Sequence, residues 1–230
     1  MKTLRILVLF SVFSVIATLH TGAAPLYFTS TNGLADLSGS PLDVTYNSTS
    51  GSFQVKGDLQ DFIDSSGTDT GDYSGYGGYV ISATINNAGV LASGGSVTII
   101  DSASDTLLAG SLKSGASGTA WGYYNNSSID QFTFLFTVTG GTVASDFGGI
   151  GGLCGISLFA DFSGNSTGTG HDTPFTGTWG GSFNNLRSSG ANTGNGTADI
   201  FPVPEPSSFL LVSAGFLCMI TLRRRNASRV

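Results

Sequence analysis

Charge is scarce in this chain, and positive charge scarcer still. Charged residues make up 10% of 230 residues, and six of the nine Lys and Arg sit at the two ends (Lys2, Arg5, Arg223, Arg224, Arg225, Arg229). Between residues 25 and 203 only Lys56, Lys113 and Arg187 stand against 14 aspartates, a formal charge of −11. Phosphate recognition needs a basic patch, so nucleic acid is excluded as a partner. An acidic, lysine-poor surface suits solubility outside the cell and attracts divalent cations. Histidine is nearly absent too: His20 lies in the N-terminal apolar stretch, which leaves His171, in the loop GTGHDTP. Any Ser-His-Asp or Cys-His arrangement would have to use it, and a histidine metal cluster is excluded by count. Two cysteines, Cys154 and Cys218, are too far apart in role to staple a core, because Cys218 belongs to a C-terminal apolar run. Cys154, between Leu153 and Ile156, reads as a small buried apolar residue.

Helical patterning is also missing between the ends: no long stretch places apolar residues at i, i+3, i+4 and i+7. What the sequence has instead is glycine, 34 residues of it, and short runs that alternate apolar with polar. Tyr79, Ile81, Ala83 and Ile85 share one face, as do Phe132, Phe134, Phe136 and Val138, and such runs fit half-buried strands. Strands are expected over 42–46, 52–57, 79–85, 96–101, 106–112, 120–124, 131–139, 155–161 and 175–183. Asn86-Asn87-Ala88-Gly89, Ser93-Gly94-Gly95 and Gly140-Gly141 supply the turns between them. The expected fold is all-β, an antiparallel β-sandwich of jelly-roll or Greek-key type over residues 24–186. Residues 187–202, of which 187–199 are a polar mixture lacking large apolar residues, read as a flexible stalk.

Both ends look like targeting segments. Lys2 and Arg5 precede the uncharged run Ile6 to Leu19, and small residues follow as far as Ala24, the order of a signal peptide ending at residue 23. Fourteen residues of helix reach only about 21 Å, too short for a membrane span. At the other end, Val203-Pro204-Glu205-Pro206 is followed by sixteen uncharged residues, Ser207 to Leu222, and then Arg223-Arg224-Arg225. The prolines keep Glu205 extended and out of any helix. The apolar run spans about 24 Å as a helix, so a single transmembrane helix over 207–222 is expected, with 226–230 as a cytoplasmic end. Arginines stay on the cytoplasmic side, which places residues 25–203 outside.

This three-part tail, over 203–225, resembles the PEP-CTERM sorting domain of exported proteins in Gram-negative bacteria that make exopolysaccharide. The resemblance implies that Pro204, Glu205 and Pro206 are the sorting motif read by an exosortase, a membrane cysteine transpeptidase, and that Arg223, Arg224 and Arg225 are the stop signal. It also implies a course through the inner membrane, with the ectodomain in the periplasm, to the cell surface or extracellular matrix. All of these are the residues of a substrate. The expected function is therefore that of a non-enzymatic surface or matrix protein, with exopolysaccharide a candidate partner.

Two binding chemistries remain open for the ectodomain. Asp58, Asp61, Asp64, Asp69 and Asp72 fall within fifteen residues, and their hard oxygens suit calcium, the one candidate ion, although their spacing is not that of an EF-hand. Trp121, Tyr123, Tyr124 and Trp179 could stack on sugar rings if exposed, as in a carbohydrate-binding module, or fill the core if not. A secreted hydrolase built on two aspartates is a third reading, for which the sequence nominates no pair.

Overall fold

A computed structural model describes residues 35–72, 77–125, 129–163, 171–188 and 193–203. The expected signal peptide, the Pro-Glu-Pro motif, the helix over 207–222 and the arginines lie outside these residues. Among the described residues no helix is long and apolar enough to cross a membrane.

Thirteen strands follow one another: β1 Asp36–Asn47, β2 Ser52–Ile63, β3 Asp69–Asp72, β4 Gly78–Thr84, β5 Val90–Leu91, β6 Ser96–Ile100, β7 Thr106–Leu112, β8 Gly115–Ala116, β9 Trp121–Tyr124, β10 Ile129–Gly140, β11 Leu153–Asp161, β12 Phe183–Asn184 and β13 Gly196–Pro202. A 3₁₀ turn, Ala144–Phe147, lies between β10 and β11. The all-β, antiparallel expectation holds, but the sandwich does not. β1 pairs with β2, and the chain then runs β2-β4-β6-β7-β10-β11-β13, each strand antiparallel to the one before, until β13 returns to pair with β1. The result is a closed up-and-down barrel of eight strands.

Alternation along each strand cannot distinguish the two folds, because a sandwich and a barrel both bury every second residue. What decides between them is the pairing of the last strand with the first. Residues 187–202, expected as a stalk, contain that strand. Ala198 and Ile200 of β13 point into the barrel and are buried, while Thr197 and Asp199 alternate with them on the outside. The expected strand over 175–183 is instead mostly loop, ending in the two residues of β12.

The interior is filled by side chains rather than open. Phe53, Val55, Tyr79, Ile81, Val97, Ile99, Leu108, Phe132, Phe134, Phe136, Ile156 and Leu158 are all buried to within 2% of complete exclusion. Glycines let the large rings cross. Tyr79 lies over Gly39, where a Cβ would stand 2.6 Å from the ring's Cδ2. β1 bends at Ser40 and Pro41, where its register shifts against both neighbours. Proline fits there because a bulge leaves its position out of the ladder. Farther along β1, beyond Gly196 at the start of β13, the buried Asn185 side chain takes over as partner. Its Oδ1 accepts the Val44 N–H (2.7 Å) and its Nδ2 donates to the Leu42 carbonyl (3.0 Å).

The two ends of the barrel differ. At the upper end β9 and β12 extend the wall beside β10 and β1, and the segment 175–183 folds inward over the opening. Trp179 is the centre of this cap. Its ring lies 4.9 Å from Tyr46, 5.1 Å from Trp121 and Phe175, and 5.5 Å from Phe183. Edge-to-face contacts of this kind add to what area burial provides. At the lower end are the turns after β2, β6 and β10, and there both Ala35, the first residue described at this end of the chain, and Val203 are found.

Candidate functional site: the rim where the C-terminal segment leaves the barrel

β13 is paired with β1 as far as Ile200 and with β11 down to its last residue. Pro202 stands opposite Cys154 of β11, and the next residue, Val203, still donates its N–H to the Leu153 carbonyl at 2.8 Å. Pro204 has no N–H to offer a further rung, so the chemistry of the sequence ends the ladder at this point.

Next to this exit is the segment that leads into β11. The 3₁₀ turn at Ala144–Phe147 ends at Gly148 in the left-handed conformation (φ 85°), and the glycine-rich stretch Gly148 to Gly152 then returns to the wall. Gly149 N–H donates to the Ala144 carbonyl (2.8 Å) and Gly151 N–H to that of Val138 (2.9 Å), which pins the backbone on both sides of Ile150. Ile150 itself is 77% exposed, the most exposed large hydrophobic side chain among the described residues. The turn after β2 is tied to the same region, since Ser65 Oγ donates to Asp146 Oδ1 at 2.7 Å. Beneath the turn, Cys154 is buried with its Sγ 3.5 Å from the Phe147 carbonyl. Burial pushes its thiol up to about 12, so it is held protonated and inert.

Three carboxylates mark the outer wall just above the rim. Asp199 of β13 and Asp61 of β2 both stand opposite Ser38 of β1, and Asp36 lies two residues along the same strand. Asp36 Oδ1 is buried with no hydrogen-bond partner among the described residues. Burial first, then the charges of Asp199 and Asp61, raise the Asp36 carboxyl to about 6, against the Leu37 backbone N–H, which pulls it down. Burial also raises Asp199. In the unfolded chain an aspartate titrates near 3.9. Between about pH 4 and pH 6 the folded form thus holds a proton that the unfolded form has lost, and stability falls as pH rises through that window. The barrel is expected to melt higher at pH 4.5 than at pH 7.5, and Asp36→Asn to raise the pH 7.5 melting temperature and shrink the difference. Thermal denaturation across the range would show it; an unchanged pH profile in the variant would assign the effect elsewhere.

The residues proposed for calcium are not gathered. Asp58 and Asp61 lie along β2, Asp69 pairs with Ile63 and Asp72 with Asp61 across β2 and β3, and Asp64 is in the turn between them. Among the described residues no three His, Cys, Asp or Glu side chains are placed to hold a metal ion. Asp64 shapes its turn instead: its carboxylate accepts from Ser66 Oγ (2.6 Å), Ser66 N–H (2.8 Å) and Thr68 N–H (2.9 Å), and these bonds, that from Ser66 Oγ foremost, lower its pKa.

The four aromatics do not form a platform. Trp121 is 0% and Trp179 3% exposed, both within the upper cap, and half-buried Tyr123 donates its hydroxyl to the Gly177 carbonyl (3.1 Å). Tyr124 alone is open, at 50%. His171 is exposed on the loop above the wall, beside buried Asp172.

The described part of the chain is thus a closed antiparallel barrel whose final strand delivers the C-terminal segment straight out of the wall. Residues 202–225 match the family model of the PEP-CTERM protein-sorting motif, and the match begins on Pro202, the last residue of β13. No curated protein and no solved structure matches the chain. The sorting motif inferred from Pro204, Glu205, Pro206 and the arginines is therefore present, and it implies export and recognition by an exosortase. The sequence shows the motif but not Ile150 as a rim residue nor β13, the strand that leads into the motif, for which the Ala198/Ile200 alternation was the available signal.

Proposed function

We propose that this chain is a non-enzymatic exported barrel, carried to the membrane by its signal peptide, held there by the segment 207–222 and processed near Pro204-Glu205-Pro206 for delivery to the cell surface or extracellular matrix. The observation that carries this reading is the match of the sorting motif to residues 202–225, in register with the end of the folded wall. The motif's three parts have separate physical tasks. The prolines present Glu205 in extended form, the apolar run is just short of a stable span, and the arginines keep the chain from being drawn through. A structural role for the ectodomain is supported by its filled interior, its capped upper end and its one buried, protonated thiol.

In a host that has the sorting enzyme, the mature protein is expected to lack Arg223 to Arg225. Glu205→Ala should leave the chain membrane-inserted and full-length, because apolar length and arginines are unchanged. Mass spectrometry of the mature C-terminus reads the result directly, and an intact Arg223 in the native host would make the tail an anchor only.

A further inference from the structure

A bond near Glu205 lies very close to the barrel. Glu205 is two residue steps beyond Val203, which is still hydrogen-bonded into the wall, and an extended chain covers about 3.3–3.6 Å per residue, or roughly 7 Å in all. Even Ser207, where the apolar run starts, is no more than about 14 Å from Val203. Any protein that closes around Glu205 is wider than that distance and must meet the lower rim.

The rim has the features of a contact surface. Ile150 projects from it at 77% exposure, on a stretch whose backbone is fixed on one side by the bond from Gly149 N–H to the Ala144 carbonyl and on the other by the bonds of Gly151 and Gly152 to Val138. Its shape is therefore set before binding, which lowers the ordering cost of using it. The remaining charge on this end is of one sign: the turns after β2, β6 and β10 carry Asp64, Asp101, Asp105 and Asp146 and not one Lys or Arg. Acidic groups around an exposed Ile disfavour an anionic lipid surface, whose headgroups would repel them. They favour a protein face with cations around an apolar notch.

We propose that the lower rim, with Ile150 as its apolar anchor, docks on the sorting enzyme while the tail is in the active site, so that the enzyme reads the folded barrel as well as the tail. This inference rests on the sorting reading and extends it from the tail to the ectodomain. The barrel's last strand then acts as a fixed spacer. With no slack between wall and motif, rim contact and tail engagement occur together, and each raises the effective concentration of the other.

The experiment follows processing of the full-length precursor by pulse-chase in a host that has the sorting enzyme. Ile150→Asp should slow loss of the tail about tenfold or more with no change in the barrel's melting temperature, and Ile150→Leu should be processed at the native rate. Inserting ten Gly/Ser residues between Val203 and Pro204 uncouples the two contacts, so with that insert Ile and Asp at position 150 should be processed equally fast. Ile150→Asp processed at the native rate, in the chain without the insert, overturns docking alone; a native chain that keeps Arg223 to Arg225 overturns docking and sorting together. In membranes from a host without the enzyme, fluorescence of Ile150→Trp should be insensitive to brominated lipids. Strong quenching there would mean that the rim contacts lipid, and would overturn an enzyme-docking role.

Discussion

A chain ending at Asn195 is expected to remain unfolded, whereas one ending at Val203 should unfold at the same urea concentration as the full chain. The first loses all of β13, and with it the seven cross-strand pairs from Cys154↔Pro202 to Ala160↔Gly196 and the pairing to β1 from Leu37↔Ile200 to Leu42↔Gly196. It also exposes the inward faces of β1 and β11 along an open seam. Burying one Ile side chain contributes about 1.5–3 kcal/mol and each net hydrogen bond about 0.5–1.5 kcal/mol. A whole strand therefore exceeds the roughly 5–15 kcal/mol that stabilises a typical domain. The second chain keeps every rung, including Val203 N–H to the Leu153 carbonyl. Equilibrium urea denaturation followed by circular dichroism compares them. Cooperative unfolding of the chain ending at Asn195 would show that the wall does not depend on β13.

The other large effect is at the opposite end. Trp179→Ala is expected to destabilise the barrel by about 3–5 kcal/mol, the range for removing a large aromatic ring from a core. Its Nε1 has no hydrogen-bond partner among the described residues, so the loss is one of packing. Seven aromatic rings lie within 6.2 Å of it, from Tyr46 at 4.9 Å to Phe53 at 6.2 Å. The cavity cannot close by collapse of one neighbour, because those rings belong to β1, β2, β9, β10, β12 and the segment at Phe175. Trp179→Phe should recover more than half of the loss. A melting temperature within a degree of the native one for the alanine variant would mean that the cap is not part of the cooperative core.

The contrast between these two ends shows what the sequence could and could not convey. Phe132, Phe134, Phe136 and Val138 announced β10 because aromatic alternation over seven residues has no other reading. Ala198 and Ile200 were too small a signal after a polar glycine-rich stretch, and yet β13 decides barrel against sandwich. Its importance lies in its partners, β11, 36 to 48 residues away in the chain, and β1, about 160 away, and local pattern carries no such information. Trp179 shows the same limit in reverse. Its segment, FTGTWGGSF, has strand-like aromatics at Phe175, Trp179 and Phe183, but they are spaced by four and point inward from a loop. The aspartates between Asp58 and Asp72 were close in sequence, but they are strung out along β2 and β3, and Asp64 is consumed by its own turn. The tail was legible because its parts act on a membrane, whose thickness and charge preference are known without any fold.

That β13 is the last strand before the tail also sets the order of events during secretion. The chain crosses the membrane N-terminus first and unfolded, and β1 emerges long before the strand that must close on it. For that whole interval β1 lacks one neighbour, and β11 does too once it has emerged, so the exposed edges must be kept from pairing with other chains. The wall can seal only once Pro202 has left the translocation channel. If the apolar run then holds the chain in the membrane, as proposed above, folding and arrest are timed to the same few residues, and the barrel closes while it is still tethered.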